Sequence, residues 1–173
     1  MLLTEVDLFQ NAWVVADLDQ AMAQWTKKVG VGPFFVAGHI KVEDYHYRGR
    51  PSAIDFSVAI AQAGSMQVEL IAQHDDVPSL YHDLYPAGTS GFHHVCHFAD
   101  DYDRQIAAYV AGGAPVAAQG RFGDMRFAYV DTSPALGFMI EILEESAAMR
   151  DHFRMIADAA KGWDGSAPVR PAW

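Results

Sequence analysis

The chain has 173 residues, of which 51% are hydrophobic and 20% charged, a balance typical of a globular protein. Its formal net charge of −10 disfavours nucleic acid as a partner, because phosphate binding needs a basic surface. No run approaches the roughly 18 apolar residues of a membrane span, so we expect no membrane association. The first residues lack the basic region of a signal peptide. The single cysteine, Cys96, excludes an internal disulfide, and we expect a reducing, cytoplasmic location.

The first half of the chain predicts a strand followed by a helix. Residues 7–16 are rich in β-forming side chains and predict the strand. Asp17 is placed to cap the helix, and residues 30–33 hold the glycines and proline that end it. Apolar residues at helical spacing supply its buried stripe: Ala21, Met22, Trp25 and Val29.

Further strands and a linker complete the first half. Two strands are expected within residues 34–47, with a turn near Gly38 or at residues 43–44. Residues 54–61 and the segment that follows a turn at 63–65 predict two more strands. The linker, residues 76–90, contains prolines and glycines and is expected to hold a short helix.

The second half repeats this plan. A helix is expected to open at Asp101 and to end at residues 112–113. Strands are predicted around Val116, over residues 126–130 and over residues 139–143. A C-terminal helix and tail occupy residues 146–173, with the tail either docked or loose.

The last strands of the two halves align without a gap. Residues 66–71 and 138–143 are both apolar around one acid, which is Glu69 in the first copy and Glu141 in the second. A carboxylate in an apolar strand is costly to bury without a partner. Two of them in equivalent places suggest one common partner, and a divalent cation is the simplest.

The first strands of the two halves also align, with residues 9–19 over residues 93–103, so that Gln10 corresponds to His94. Such duplication predicts an α+β fold of two tandem βαβββ modules, residues 1–75 and 91–145, which form a curled mixed sheet around a cleft. The four side chains that would meet in the cleft are Gln10, Glu69, His94 and Glu141. This mixed nitrogen and oxygen set suits Zn²⁺, Ni²⁺, Co²⁺, Mn²⁺ or Fe²⁺.

Other side chains are candidates for the cleft or its surroundings. His93 and His97 point away from the face of His94 in a regular strand, so we expect structural or supporting roles for them. Aromatic residues are expected to border the cleft, and most of them to be core: Trp13, Phe34, Phe35, Tyr45, Tyr47, Phe56, Phe122, Phe127 and Tyr129. Arginines are candidates for holding an anionic substrate: Arg48, Arg50, Arg121 and Arg126. His46 and Glu43 are further acid or base candidates.

The duplicated plan and its motifs resemble the vicinal oxygen chelate superfamily, the group of glyoxalase I, methylmalonyl-CoA epimerase, extradiol dioxygenases and bleomycin-resistance proteins. The motifs are Gln10 ahead of residues 14–19, Gly91-Phe92-His93-His94-Val95 and Gly137-Phe138-Met139-Ile140-Glu141. The resemblance covers roughly residues 7–145. It implies a metal held by Gln10, Glu69, His94 and Glu141, a set similar to that of eukaryotic glyoxalase I. The Gly-Phe-His-His run is more like the epimerases.

The resemblance implies an isomerase, epimerase or lyase in which the metal polarises a carbonyl and a base removes the neighbouring proton, giving an enolate. Glu141 is the first candidate for that base and Glu69 the second. Two other functions stay open: a ligand-binding protein without chemistry, and an extradiol-type dioxygenase. The dioxygenase is disfavoured, because such sites normally use two histidines and one carboxylate, and the matched set here contains only one histidine, His94. The substrate is expected to be a small molecule with adjacent oxygens, aromatic or thioester, and the protein a homodimer.

Overall fold

The computed structural model describes residues 6–172, which form one mixed sheet of 11 strands and five α-helices. Residues 1–5 and 173 lie outside the described residues. They include the start of the chain, where a signal peptide would lie, and the last residue of the predicted tail. The elements of the first half are β1 (Gln10–Val14), α1 (Leu18–Val29), β2 (Phe34–Ile40), β3 (Glu43–Tyr47), β4 (Arg50–Pro51), β5 (Phe56–Ala63) and β6 (Met66–Gln73).

The linker contains one short helix, and the second half again begins with a strand and a helix followed by further strands. Its elements, with the linker and the C-terminal region, are α2 (Leu80–Leu84), β7 (Gly91–Ala99), α3 (Tyr102–Ala111), β8 (Val116–Phe122), β9 (Met125–Val130), α4 (Ser133–Leu136), β10 (Met139–Glu144), α5 (Ala147–Ala160) and β11 (Val169–Pro171). The four-residue helix α4 was not predicted, because its short Ser-Pro-Ala-Leu segment offers no periodic apolar stripe.

The strand order shows two copies of one topology meeting at the centre of the sheet. In each copy the first strand pairs in parallel with the last, β1 with β6 and β7 with β10. The order β2-β5-β6-β1 of the first copy mirrors β8-β9-β10-β7 of the second, and β1 pairs with β7 antiparallel at the junction. The predicted α+β fold of two tandem modules in a curled mixed sheet is confirmed.

The hairpin β3–β4 shows that the sheet curls. Although it belongs to the first half of the sequence, β3 pairs with β8 at the far edge of the second copy. Only residues 41–42 separate it from β2 near the opposite edge. Three Cα steps span at most about 11 Å, so these two strand ends must lie close together. The sheet therefore wraps around a cleft, as the duplication predicts.

The turn predicted near Gly38 or at residues 43–44 is at neither place, because both lie within strands. Gly38 lies inside β2 and Asp44 inside β3, and the pairing register shifts at both places. His39 and Asp44 adopt the left-handed conformation, with φ of 50° each. These residues therefore form β-bulges, which bend a strand without ending it. The actual break is at residues 41–42.

The helix ends follow the predicted capping residues. The Asp17 carboxylate accepts a hydrogen bond from the Gln20 backbone N–H at 2.8 Å, and Gly30 ends α1 in the left-handed conformation. Asp101 caps α3 in the same way through the N–H of Arg104. The tail docks, because β11 adds to the sheet edge in parallel with β2. In the described part of the chain, no helix has the length and apolar character that crossing a membrane requires.

Candidate metal centre

Glu69 and His94 face each other across the small side chain of Ala12. In the register of the sheet, Ala12 of β1 is paired with Glu69 of β6 on one side and with His94 of β7 on the other. Ala12 is fully buried. Its single methyl group leaves space between the carboxylate and the imidazole.

Gln10 and Glu141 come from the next row of the same face. Gln10 lies two residues before Ala12 and is paired with Cys96, which in turn is paired with Glu141 of β10. Residues two apart on a strand point to the same side of the sheet. The four predicted ligands therefore project from four neighbouring strands onto one face, and Gln10, Glu69 and Glu141 line one cavity.

The histidine and the two acids converge closely. His94 Nε2 lies 3.4 Å from Glu69 Oε2 and 3.3 Å from Glu141 Oε2. One ligand atom of each residue lies within 4.8 Å of the others. The relative exposures are 0% for His94, 8% for Glu69 and 7% for Glu141, so water offers these charges little compensation.

Two of these buried atoms, Glu69 Oε2 and His94 Nε2, have no hydrogen-bond partner. Buried polar atoms are normally paired, and an unpaired one costs roughly 1–3 kcal/mol. An acid oxygen and a histidine nitrogen 3.4 Å apart that make no hydrogen bond, with a second carboxylate beside them, match the needs of a divalent cation. The residues present therefore fit such an ion.

Gln10 is buried at 2% exposure, and its amide nitrogen Nε2 donates a hydrogen bond to Gln67 Oε1 at 3.1 Å. This bond uses the donor end of the carboxamide. The carbonyl oxygen, which is the end able to ligate a cation, is then available on the face shared with Glu69 and Glu141.

Charge interactions set the protonation of the group. Burial alone would lower the pKa of His94, but the carboxylates of Glu141 and Glu69 outweigh it and raise that pKa to about 9. Burial raises the pKa of Glu69 and outweighs the opposite effect of His94. Burial also acts on Glu141, but His94, the Tyr129 hydroxyl and the Cys96 thiol outweigh it and lower the pKa of Glu141. Without a metal, His94 is therefore an imidazolium between two acids, with a proton where a cation would bind.

His93 supports His94 from behind, although it comes from the other side of the strand. Its Nδ1 lies 2.9 Å from His94 Nδ1, and its Nε2 lies 3.1 Å from the Leu80 carbonyl oxygen. A carbonyl only accepts, so Nε2 of His93 carries the proton. Burial lowers the pKa of His93 to about 3, so the ring is neutral and its Nδ1 accepts a hydrogen bond from His94 Nδ1–H. The nitrogen of His94 that can give up its proton to bind a cation is then Nε2, the atom that faces the acids.

Comparison with known proteins identifies the family of the chain. Residues 9–129 match the family Glyoxalase_4, described as the Glyoxalase/Bleomycin resistance protein/Dioxygenase superfamily. The chain belongs to this superfamily. Gln10, Glu69 and His94 lie inside the matched segment, and Glu141 lies 12 residues beyond it. No curated protein matches the chain in sequence at a significant level.

Solved structures with the superfamily fold include methylmalonyl-CoA epimerase from Mycobacterium tuberculosis, with a TM-score of 0.56 and 18% identity over 87% of this chain and 97% of that one. The hypothetical protein BH1468 from Bacillus halodurans C-125 has a TM-score of 0.57 and 12% identity, over 83% of this chain and 96% of that one. A variant of Streptomyces coelicolor methylmalonyl-CoA epimerase, in complex with 2-nitronate-propionyl-CoA, has a TM-score of 0.52 and 14% identity, over 83% of this chain and 100% of that one. At these identities the likeness establishes the fold alone.

The cleft of this protein is a cavity of about 550 Å³ that reaches from Glu69 and Glu141 to the surface near residues 38–42. Six of the aromatic residues predicted to border it do so: Phe35, Tyr45, Phe56, Phe122, Phe127 and Tyr129. Trp13 and Phe34 instead pack with α1 in a separate core cluster. Neither Tyr47 nor any of the four candidate arginines is among the residues that line the cavity. His46 and Glu43 also lie outside that lining.

Sequence reasoning missed two features near the cavity. Met149, His152 and Phe153 of α5 line it, a role that the amphipathic stripe of α5 could have indicated. His39, Asp55 and His74 form a second group whose ligand atoms lie within 4.8 Å of one another. The group is half-exposed, and its histidines already bond to Asp55 and Ser57.

Proposed function

We propose that the protein is a divalent-metal-dependent enzyme that moves a proton at a carbon next to a carbonyl group, as an isomerase, epimerase or lyase. The observation that carries this proposal is the convergence of Glu69, His94 and Glu141, in which two buried ligand atoms make no hydrogen bond. Superfamily membership and the epimerase fold support it.

Glu69, His94 and Glu141 would hold the ion, with the carbonyl oxygen of Gln10 as the fourth ligand. When bound, an ion of this kind acts as a Lewis acid on a carbonyl oxygen and acidifies the adjacent C–H bond. Zn²⁺, Ni²⁺, Co²⁺, Mn²⁺ and Fe²⁺ all accept this donor set.

The protein must also supply a base, and both glutamates are candidates. Sequence alone favoured Glu141, but the surroundings of the two carboxylates favour Glu69. His94, with Tyr129 and Cys96, lowers the pKa of Glu141, whereas burial outweighs the effect of His94 on Glu69 and raises the pKa of Glu69. The more basic carboxylate is better able to take a proton from carbon. We therefore propose Glu69 as the base and Glu141 as the fixed ligand.

The surroundings of the site suit proton transfer rather than thiol chemistry. Burial raises the pKa of Cys96 far above its usual value, so its sulfur stays a thiol and a poor nucleophile. The aromatic wall of the cavity keeps water from the acids, which strengthens each electrostatic interaction inside.

The test uses the metal-loaded protein in D₂O and three probe compounds. NMR measures how fast deuterium replaces the hydrogen on the carbon next to the carbonyl of each probe. The probes are an acetylnaphthalene, the hemithioacetal of glutathione and methylglyoxal, and methylmalonyl-CoA. Glu69→Gln is expected to slow exchange by about 100-fold or more while the chain still binds metal. Glu141→Gln is expected to weaken metal binding first. Glu144→Gln is the control. Glu144 lies on the same strand as Glu141 but is paired with Arg126, so this variant should catalyse deuterium exchange at the normal rate.

Unchanged exchange in both the Glu69 and Glu141 variants would contradict the assignment. A protein that binds one of these probes tightly without metal and never exchanges its proton would instead be a ligand-binding member. The cavity alone would suit such a protein, but it does not explain why two carboxylates are buried at its end.

A further inference from the structure

We propose that the cavity selects an uncharged, largely apolar substrate of aromatic or alicyclic type, with its reacting carbonyl at the Glu69–Glu141 end. The proposal rests on the proposed function for the position of that carbonyl. The choice of substrate class rests separately on the walls and charges of the cavity.

The walls of the cavity are predominantly apolar. Aromatic rings contribute from five strands and two helices, with the ring centroids of Phe122 and Phe127 stacked at 4.9 Å and those of Phe56 and Tyr81 at 5.7 Å. Aliphatic side chains such as Ile60 fill the spaces between them. Flat apolar rings bury well against such faces, through both area and edge-to-face contacts.

Three arginines that were candidates for holding an anion are paired with acidic side chains instead. Arg48 bonds Asp83 and Asp131, and Arg126 bonds Asp103 and Glu144. Arg121 pairs with Glu43 and Asp44. Among the described residues that line the cavity there is no arginine.

The basic residues that do line the cavity are His39, Lys41 and His152. His39 and Lys41 are exposed, and His39 is already bonded to Asp55. Burial lowers the pKa of His152, which keeps its ring neutral. An anionic group between the aromatic walls would therefore lie away from the exposed Lys41 at one end and from the Glu69–His94–Glu141 group at the other, and its burial there would have a high cost.

Helix α5 closes one side of the cavity. Met149 and Phe153 line it, and Ile156 of the same helix is fully buried in the core behind them. A cavity of about 550 Å³ closed in this way suits a compact molecule of drug-like size. A thioester with a long polyanionic tail, of the kind bound by one epimerase of similar fold, would find one lysine, the exposed Lys41, and no arginine among the described residues that line the cavity.

Binding to the metal-free protein tests the substrate class without any chemistry. The probes are an acetylnaphthalene, the matched acetylnaphthoate and propionyl-CoA, measured by calorimetry in the presence of a chelator. We expect the neutral ketone to bind at least about tenfold more tightly than either anion. Equal or tighter binding of the naphthoate or of propionyl-CoA would overturn the proposal.

Two variants of α5 locate the binding. Met149→Arg places a cation in the cavity wall, and Met155→Arg makes the same change on the exposed face of the helix. We expect Met149→Arg to reduce the affinity for the ketone about tenfold or more and to raise that for the naphthoate, with no change for Met155→Arg. An identical response of both variants would place the probe outside the cavity and contradict the proposal.

The two proposals fail in different ways. If the ketone binds in the cavity but the metal-loaded protein never exchanges its proton, the proposed function fails and the substrate class stands. If exchange occurs only with methylmalonyl-CoA, the substrate class fails and the proposed function stands.

Discussion

The ring nitrogens Nδ1 of His93 and His94 lie 2.9 Å apart, and this contact fixes which nitrogen of His94 faces the two acids. The Leu80 carbonyl holds the proton on Nε2 of His93, so Nδ1 of His93 must accept from His94. The lone pair available to a metal is then on Nε2 of His94, between Glu69 and Glu141. Hydrogen bonds behind a ligating histidine commonly orient it in this way.

Replacing His93 by Gln should weaken metal binding by about 10- to 100-fold, because the orientation and basicity of His94 depend on that hydrogen bond. The measurement is competition between the protein and a chelator, with the visible spectrum of the Co²⁺ form as a second readout. His97→Gln is the matched control, because this buried histidine on the same strand bonds the Phe98 carbonyl and the Tyr109 hydroxyl instead. Equal losses of metal affinity in both variants would reduce His93 to a general structural role.

Enlarging Ala12 should block the site. Ala12 separates Glu69 from His94 in the register of the sheet, so the branched side chain of Ala12→Val would occupy the space between them. We expect the metal content, measured by elemental analysis, to fall well below one ion per chain. Ala59→Val is the control: Ala59 is equally buried but packs in the cluster next to α1. Overpacking costs about 1–3 kcal/mol in either variant, so only the metal content should distinguish them.

Metal binding should release protons. The pKa of His94 is raised to about 9 in the metal-free protein, so near pH 7 the imidazolium must lose its proton when a cation takes Nε2. The apparent metal affinity should therefore rise with pH up to about 9, by about tenfold per pH unit. Calorimetry in buffers of different ionisation enthalpy should report the release of about one proton per ion. No release would mean that His94 does not ligate.

Bound metal should also stabilise the fold, because it removes the repulsion between two buried carboxylates. An ion present at 100 times its dissociation constant adds about 2.7 kcal/mol to the free energy of unfolding. For a chain of this size that corresponds to roughly 5–10 °C in Tm, measured by thermal scans with metal and with chelator. Equal Tm values in the two scans, for a protein shown to hold one ion, would contradict a site built into the sheet.

The duplication made most of the fold and the candidate ligands predictable. Glu69 and Glu141 occupy the same place in two copies of one strand, so any fold that pairs the copies brings them together. Helix caps such as Asp17 were predictable because their chemistry is local.

Long-range features were not predictable from the sequence. The hairpin that begins at Glu43 crosses to the far edge of the sheet, which depends on the curl of the whole sheet and not on its own residues. His93 was expected on the opposite face from His94, yet its ring turns back to the ring of His94, a contact that only side-chain geometry reveals. The part of α5 in the cavity wall likewise depends on how the helix docks.

Crystals of the protein soaked with Ni²⁺ and examined by anomalous scattering test the central proposal most directly. We expect one strong peak per chain, about 2.0–2.3 Å from Nε2 of His94 and from an oxygen of each of Glu69 and Glu141. A cavity without a peak, or a single peak at His39, Asp55 and His74 instead, would contradict the proposal that the acids of the two modules share one ion.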